Sequence, residues 1–459
     1  MVSKYAIERW IGWVIIALLC LVPVLRWISL VDMPTQLSSW FGVASTLGKL
    51  GALIGTMLYA LNFVLAIRAK WLEPLFGGLS RAYIAHHITG GLALIMLCFH
   101  PIFLAVRHVE VGVAKSYQLA ADVLLPDPVR FSSVGDFTES MSINFGIIGF
   151  LGLVVLLVCT FFIKFSYQTW LLTHKFLGLA FLISGLHIVY VWSDVRNDLP
   201  LRLYLVFWIG IGLASFVHRS LLGNIFVRRY RYTVSRVSSP AEGVVTIGFE
   251  PLRKRLSFRA GQFVYVRFVS GELKGETHPF SLTGKQGDHD KELEISVKAL
   301  GDYTTKLQTV QFGDHALIEG AFGRFIPARY PNKKQIWIAG GIGVTPFIAS
   351  AKTFSSVSAE KTTLFYCVNS ETEMINGNLF KELAHDDQRF KFEQFVAGGQ
   401  NGFLSADYIL KKVETFDDTI FFICGPPAMM KSMKKQLQKN GVHVKDIIGE
   451  EFSLSRGDG

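Results

Sequence analysis

Imidazoles are poorly solvated in apolar surroundings, yet this chain places several histidines inside apolar stretches at matched spacings. RAYIAHHITGGLALIMLCFH, Arg81 to His100, holds His86, His87 and His100. THKFLGLAFLISGLHI, Thr173 to Ile188, holds His174 and His187. On a helix, a fourteen-residue step from His86 to His100 covers about 21 Å and turns about 40°, which keeps both rings on one face. The thirteen-residue step from His174 to His187 lies about 140° off on an ideal helix. A bend or loosening between Gly178 and Gly185 is therefore expected there. Glycine follows the first histidine of each set by four residues, at Gly90 and Gly178. A single histidine of this kind would bond to a carbonyl; four in two sets suit metal ligation. Zinc ligands would gather at one depth. His86 and His87 both remain available as the first ligand, with the shared glycine spacing favouring His86.

The elements that must carry these rings are long and apolar. Six runs, at 10–31, 50–67, 83–106, 143–163, 170–192 and 201–222, are each able to cross a hydrocarbon core of about 30 Å as a helix. The first starts with Lys4, Glu8 and Arg9 and has no small-residue cleavage site, so it reads as a retained helix. The third and fifth runs point the same way, which sets His86 level with His174 and His100 level with His187. Two level histidines on neighbouring helices suit the axial positions of one haem, and two levels imply two b-type haems. Gly90 and Gly178 would let a flat macrocycle approach.

Half of the 459 residues are hydrophobic, Phe alone numbers 37, and the mean hydropathy is +0.36. That fits a chain that is part membrane and part soluble. The net charge of +10 is spread over both halves instead of forming one patch, which argues against nucleic-acid binding. Cys20, Cys98 and Cys159 lie in apolar runs and Cys367 and Cys424 in the second half, so no disulfide framework is implied.

Beyond Arg228 the texture changes. TVSRVSSPAEGVVTIGFEP, GQFVYVRFVS, ELEISVKAL and HALIEGAFG alternate like short antiparallel strands between turns. After Pro331, KKQIWIAGGIGVTPFIASAKTF, TTLFYCVNS and TIFFICGPPAMMKSMKKQL read as strand–turn–helix units of a parallel sheet. Strand ends at Gly340-Gly341 and at Cys424-Gly425-Pro426 would open onto helix N-termini and form a crevice suited to a dinucleotide pyrophosphate.

In order, GQF, HPFS, VKALGDYT, GAFG, GGIGVTP and CGPP resemble the flavin and nicotinamide domains of the ferredoxin–NADP reductase superfamily. By that resemblance, His278, Pro279, Phe280 and Ser281 hold the isoalloxazine of FAD, and Lys298, Gly301 and Thr304 its pyrophosphate. Gly340, Gly341, Gly343, Thr345, Cys424, Gly425 and Pro426 hold NAD(P)H. His278, Ser281, Cys424 and Phe452 are the residues placed at the chemistry, with Phe452 over the flavin. The whole chain resembles the transmembrane ferric reductase and NADPH oxidase family, whose paired histidines in the third and fifth spans match His86, His100, His174 and His187.

The resemblance implies three domains: a six-helix transmembrane haem bundle over 1–222, an antiparallel β-barrel FAD domain over 223–330, and an α/β Rossmann-like nucleotide domain over 331–459. Electrons would pass from NAD(P)H to FAD, to two haems b, and to a small external acceptor, oxygen or ferric iron. Because NAD(P)H is intracellular, the nucleotide domains would face the cytoplasm from the inner or plasma membrane. Oxidases of the family often carry a further histidine one turn past the outer ligand; here that place is Leu104. The competing reading is a membrane haem subunit that passes electrons to a protein partner. NADPH-selective relatives place a basic residue after the strand matching LFYCVNS, and Arg where this chain has Phe403. The corresponding residues, Asn369, Ser370 and Phe403, are uncharged, so NADH is expected to serve at least comparably unless Arg389 or Lys391 substitutes.

Overall fold

The structure is a computed structural model. It describes the chain outside residues 1–3, 109–120, 122–123, 128–138, 271–272, 274, 287–291, 355–360, 397–402 and 451–459. The chain divides into two compact units, Glu8–Phe76 with Arg81–Val227, and Arg228–Gly459 with Met1–Ile7 and Gly77–Ser80.

The first unit contains six helical stretches long and apolar enough to cross a membrane: Trp10–Ile28, Trp40–Leu65, Leu79–Val106, Met141–Phe162, Gln168–Tyr190 and Leu199–Leu221. These are called spans one to six. Span three shows how the pattern works. Ile84, Ile88, Leu92, Ile95, Phe99 and Ile102 recur every three or four residues and are all exposed, as a lipid-facing stripe requires. Ala82, Ala85, Thr89 and Ala93 are buried on the other side, where small residues let helices approach.

Two sequence expectations need correction here. Span two begins at Trp40, ten residues before the apolar run at Leu50, because Ser39 caps it and Lys49 lies inside the helix. The apolar run starts only after Lys49, whose charge inside the helix is answered by Asp194 at 2.7 Å. Span five does depart from regular helix, but at Phe176, between helices Tyr167–Lys175 and Leu177–Tyr190. The stretch from Gly178 to Gly185 is unbroken helix.

The second unit starts with a six-stranded antiparallel sheet. Its strands are β1 (Tyr230–Ala241), β2 (Val244–Pro251), β3 (Phe263–Phe268), β4 (His278–Ser281), β5 (Leu293–Lys298) and β6 (His315–Phe322). The order is β4-β3-β6-β1-β2-β5, and a bridge from Leu282 to Ile295 brings the two edges together, curling the sheet into a barrel. Val234, Ile247, Phe249, Val264, Val266, Phe268 and Ile295 fill it. Each such fully buried side chain contributes about 1.5–3 kcal/mol of transfer free energy.

A five-stranded parallel sheet follows, from β7 (Lys334–Gly340), β8 (Thr362–Val368), β9 (Phe390–Val396), β10 (Thr419–Cys424) and β11 (Ile447–Glu450), in the order β11-β10-β7-β8-β9. Apolar clusters cover both faces, one around Trp337, Phe347 and Tyr366, the other around Ile338, Phe421 and Met433. That double burial explains why IWIAG and FFIC read as continuous apolar runs. All five cysteines are free.

Candidate functional site

In the membrane unit the four histidines meet as two pairs. The ring centres of His86 and His174 lie 6.3 Å apart, and those of His100 and His187 lie 6.4 Å apart. Every one of these rings is tied through Nδ1. His86 reaches the Asn62 carbonyl at 3.1 Å, His100 the Gly48 carbonyl at 3.1 Å, and His187 the Ser142 carbonyl at 2.8 Å. His174 lies 3.4 Å from Thr160 Oγ1, whose own proton goes to the Leu156 carbonyl. The three carbonyl partners can only accept, so Nδ1 of His86, His100 and His187 carries the proton and their Nε2 keeps its lone pair.

The tautomer needed of a metal-binding imidazole is thus already set by the helices. Two imidazoles on opposite sides of one metal, with metal–nitrogen bonds of about 2 Å, would put their ring centres roughly 6 Å apart. The residues fit a bis-histidine group at each level. Among the described residues no cluster of three or more His, Cys, Asp or Glu forms a cage.

The carbonyl partners of span three follow a register. Gly48 and Asn62 on span two are fourteen residues apart, as are His86 and His100, so two antiparallel helices present donor and acceptor at both levels. Asn62 also accepts from Thr89 through Oδ1 at 3.0 Å. His87 is exposed and bonds back to the Tyr83 carbonyl of its own helix at 2.8 Å, which leaves His86 as the histidine facing His174. The expected role of Gly90 and Gly178 changes. A Cβ at Gly178 would strike the Phe216 ring and one at Gly90 would meet the Asn62 side chain, so these glycines admit side chains instead of a macrocycle. Gly146 was missed: a Cβ there would sit 2.7 Å from His187 Nδ1. Its signal is faint, since Gly149 and Gly152 follow it at the same spacing on span four.

At the end of the unit nearer His100, Asp194 accepts from Lys49 Nζ and Trp27 Nε1, both at 2.7 Å. Burial pushes this carboxyl up, but those two hydrogen bonds outweigh it and hold it below the usual range. Lys49 is engaged in this tie.

In the barrel, β4 carries HPFS antiparallel to β3. His278 stacks on Tyr303 at 3.8 Å between ring centres, and its Nε2 lies 2.8 Å from Glu276 Oε2. The Tyr303 hydroxyl is buried without a hydrogen-bond partner among the described residues, and burial pushes its pKa up. An orphaned hydroxyl beside His278 is what a missing polar ligand would leave, so the residues fit a flavin here. Tyr303 was legible in GDYT but not singled out. Ser281 is buried at the end of β4. Thr304 Oγ1 accepts from the amides of Leu300 and Gly301, capping the turn that follows β5. Lys298 does not stand open for a pyrophosphate; its Nζ lies 3.1 Å from Glu373 Oε2.

In the parallel sheet, β7 and β10 end against each other. A Cβ on Gly343 would run into the Cys424 carbonyl, and one on Gly340 would meet Met429 Sδ at 2.6 Å. These glycines serve backbone packing. Gly341 differs: its φ is +52° and nothing lies within 4 Å of its Cβ direction, so it is the one that borders open space. Thr345 starts the helix Thr345–Lys352 and donates to the Ile342 carbonyl. Cys424 is fully buried beside Glu450, and burial, reinforced by that carboxylate, pushes its thiol up, so it stays a neutral thiol. Burial likewise pushes Cys367 up to about 12. Phe452 lies outside the described residues.

Three family descriptions match in sequence order: a ferric reductase like transmembrane component over residues 51–185, an FAD-binding domain over 229–335 and an oxidoreductase NAD-binding domain over 337–435. The chain therefore has the architecture of the ferric reductase and NADPH oxidase family, and is an integral membrane NAD(P)H-dependent oxidoreductase.

Among curated relatives, the phenol hydroxylase P5 protein of Acinetobacter pittii is 27% identical over 254 residues, which is 52% of this chain and 69% of that protein. The toluate 1,2-dioxygenase electron transfer component of Pseudomonas putida is 22% identical over 237 residues, 49% of this chain and 68% of that protein. Among solved structures, the FAD/NAD-binding domain of nitric oxide dioxygenase from Vibrio cholerae is 23% identical with a TM-score of 0.43, covering 49% of this chain and 98% of that one. The cytochrome P450 reductase of Amycolatopsis is 24% identical with a TM-score of 0.43, covering 49% of this chain and 70% of that one.

Proposed function

We propose that this protein carries electrons from cytoplasmic NAD(P)H across the membrane to an external acceptor, by way of FAD and two b-type haems. The observation that carries the reading is the pair of level histidine pairs, with ring centres 6.3 and 6.4 Å apart and each ring held through Nδ1. FAD takes up two electrons at once and haem passes them singly, which is the chemistry these groups supply when bound. The chain's own part is to bind, orient and exclude water. His86 with His174, and His100 with His187, hold one haem each; Asn62, Gly48, Ser142 and Thr160 keep the rings in place. His278, Pro279, Phe280, Ser281 and Tyr303 seat the flavin ring, and Gly301 and Thr304 order the turn beside its phosphates. Gly341, Thr345 and the Cys424-Gly425-Pro426 turn receive the nicotinamide nucleotide.

Ferric chelate is the favoured acceptor over oxygen. The place one turn beyond His100 is Leu104, which packs against span two near Gly48 and offers no proton or ligand.

The test is spectroscopic. Pyridine haemochrome assay of the purified chain is expected to give two haems per FAD. His100→Ala or His187→Ala should halve that ratio while NADH still bleaches the flavin. Two haems retained in either variant would overturn the ligand assignment. Proteoliposomes supplied with NADH on the side of the nucleotide domains should then reduce an impermeant ferric chelate on the other side, and superoxide as the sole product would overturn the acceptor.

A further inference from the structure

β5 alternates strictly, and its two faces do different work. Leu293, Ile295 and Val297 point into the barrel core. Glu294, Ser296 and Lys298 lie on the other face, together with Val244, Thr246 and Gly248 of the paired strand β2. This face meets the nucleotide-binding lobe: Val244 packs within that lobe's apolar cluster, and Thr246 and Ser296 join hydroxyls at 2.8 Å.

Two ion pairs cross the boundary between the lobes, and their polarities are opposed. Glu294 Oε1 accepts from Lys352 Nζ at 2.7 Å, and Lys298 Nζ donates to Glu373 Oε2 at 3.1 Å. Glu294 is held from its own lobe as well, by Arg236 at 2.7 Å on Oε2 and Thr283 at 2.9 Å on Oε1. Its side chain is only 11% exposed.

We propose that β5 is a charge-coded register key, with Glu294 and Lys352 as positioning residues that set where the nicotinamide nucleotide lies against the flavin lobe. The two β5 charges are four residues apart, about 13 Å along a strand. A slide of one lobe along β5 would bring Lys352 toward Lys298, or Glu373 toward Glu294, so like charges oppose every wrong register. Half-buried ion pairs of this kind add little net stability, because desolvation offsets attraction; their use is in specifying one arrangement. Lys352 ends the helix that Thr345 begins, and eight helical residues make a rod of about 12 Å. Holding one end of that rod fixes the Gly341–Val344 turn at the other. The inference rests on nicotinamide-to-flavin reduction as proposed above.

The experiment uses the full chain, FAD-loaded and in detergent, mixed rapidly with NADH. It reads the limiting rate of flavin bleaching, the Kd for NADH from the same titration, and the FAD-to-protein ratio. Lys352→Met is expected to slow the limiting rate about tenfold with FAD retained, part of the roughly hundredfold that a full 1 Å misplacement of reacting groups can cost. Lys352→Arg, which keeps the charge, should restore most of the rate. Bleaching of Lys352→Met at the unsubstituted rate overturns the proposal, as does a slowed rate that Lys352→Arg does not restore. If Lys352→Met sheds FAD, Glu373→Gln on the second pair carries the same test, with a several-fold slowing expected and an unchanged rate overturning the key. An unsubstituted chain that neither NADH nor NADPH bleaches would instead overturn the nicotinamide-to-flavin reading itself.

Discussion

In the membrane unit the residues that meet are side chains on helices, and every one of them is held by something on a neighbouring span. His100 is held by Gly48 on span two and His187 by Ser142 on span four. In the nucleotide-binding lobe the meeting is backbone to backbone: Gly340, Gly343 and Gly425 let the ends of β7 and β10 touch, while Gly341 beside them borders open space. The first arrangement has few partners for each ring and no slack, so disturbing it should remove a whole level. The second spreads its contacts over two turns, so it should lose function by degrees.

The largest effect is expected at Gly146. A side chain there would lie within 2.7–2.9 Å of His187 ring atoms, and a helix backbone cannot yield that much. Gly146→Val should therefore halve the haem-to-FAD ratio by pyridine haemochrome. Gly91→Ala, with nothing within 4 Å of its Cβ direction, should leave the ratio unchanged. Equal ratios in both variants would break the contrast drawn between the regions.

Gly343→Ala in the nucleotide-binding lobe comes next. Its Cβ would meet the Cys424 carbonyl and come within 2.7 Å of Gly425 Cα, forcing the two strand ends apart. The limiting rate of flavin bleaching should fall about a hundredfold, with FAD and haem retained. Gly341→Ala meets no neighbour in the chain, but it costs the strain of a left-handed residue, about 1–2 kcal/mol, and puts a methyl into the space proposed to receive the nucleotide, so the Kd for NADH should rise several-fold with FAD and haem retained. If Gly343→Ala bleaches normally, the backbone contact does not govern nucleotide placement.

Thr160→Val is milder. It removes the oxygen that accepts from His174 Nδ1 but keeps the ring and its stacking on Trp170 at 5.1 Å. Loss of such an outer partner typically costs about 10–100-fold in affinity for the bound group. Haem retention on dilution should weaken at one level only; weakening at both would mean that the levels are not independent.

The same contrast governs what could be read before the structure. Histidine positions follow helical geometry, so the two levels were legible from spacing alone. Their carbonyl partners were not, because a backbone acceptor at Gly48 or Ser142 leaves no mark on residue type. The interruption at Phe176 was expected from the thirteen-residue step but misplaced, since nothing about Phe176 itself marks a helix break. Strand alternation in ELEISVK exposed the polar face of β5, whereas its partners Lys352 and Glu373 lie 58 and 75 residues away. The second apolar run starts one residue after Lys49, whose place inside the helix depends on Asp194, 145 residues on.

Nucleotide choice gives the smallest expected effect. Arg389 and Lys391 were the candidates to hold a 2′-phosphate. Arg389 instead forms a two-pronged pair with Asp387, with Nε to Oδ1 at 2.9 Å, and its guanidinium lies over the Phe354 ring. Lys391 pairs with Thr363 at the start of β8. Both therefore sit where the parallel strands begin, while dinucleotides bind where such strands end. At that end, past β8, stand Asn369, Ser370 and Glu371, with Glu371 steadied by Gln394 at 3.2 Å. A carboxylate there can accept from a ribose hydroxyl and repels a phosphate. NADH should thus match or exceed NADPH in kcat/KM for flavin reduction, by less than about tenfold, or 1.4 kcal/mol. Glu371→Gln should narrow the margin by relieving the repulsion without adding a phosphate contact. A preference of about a hundredfold for NADPH, or 2.7 kcal/mol, would refute the assignment.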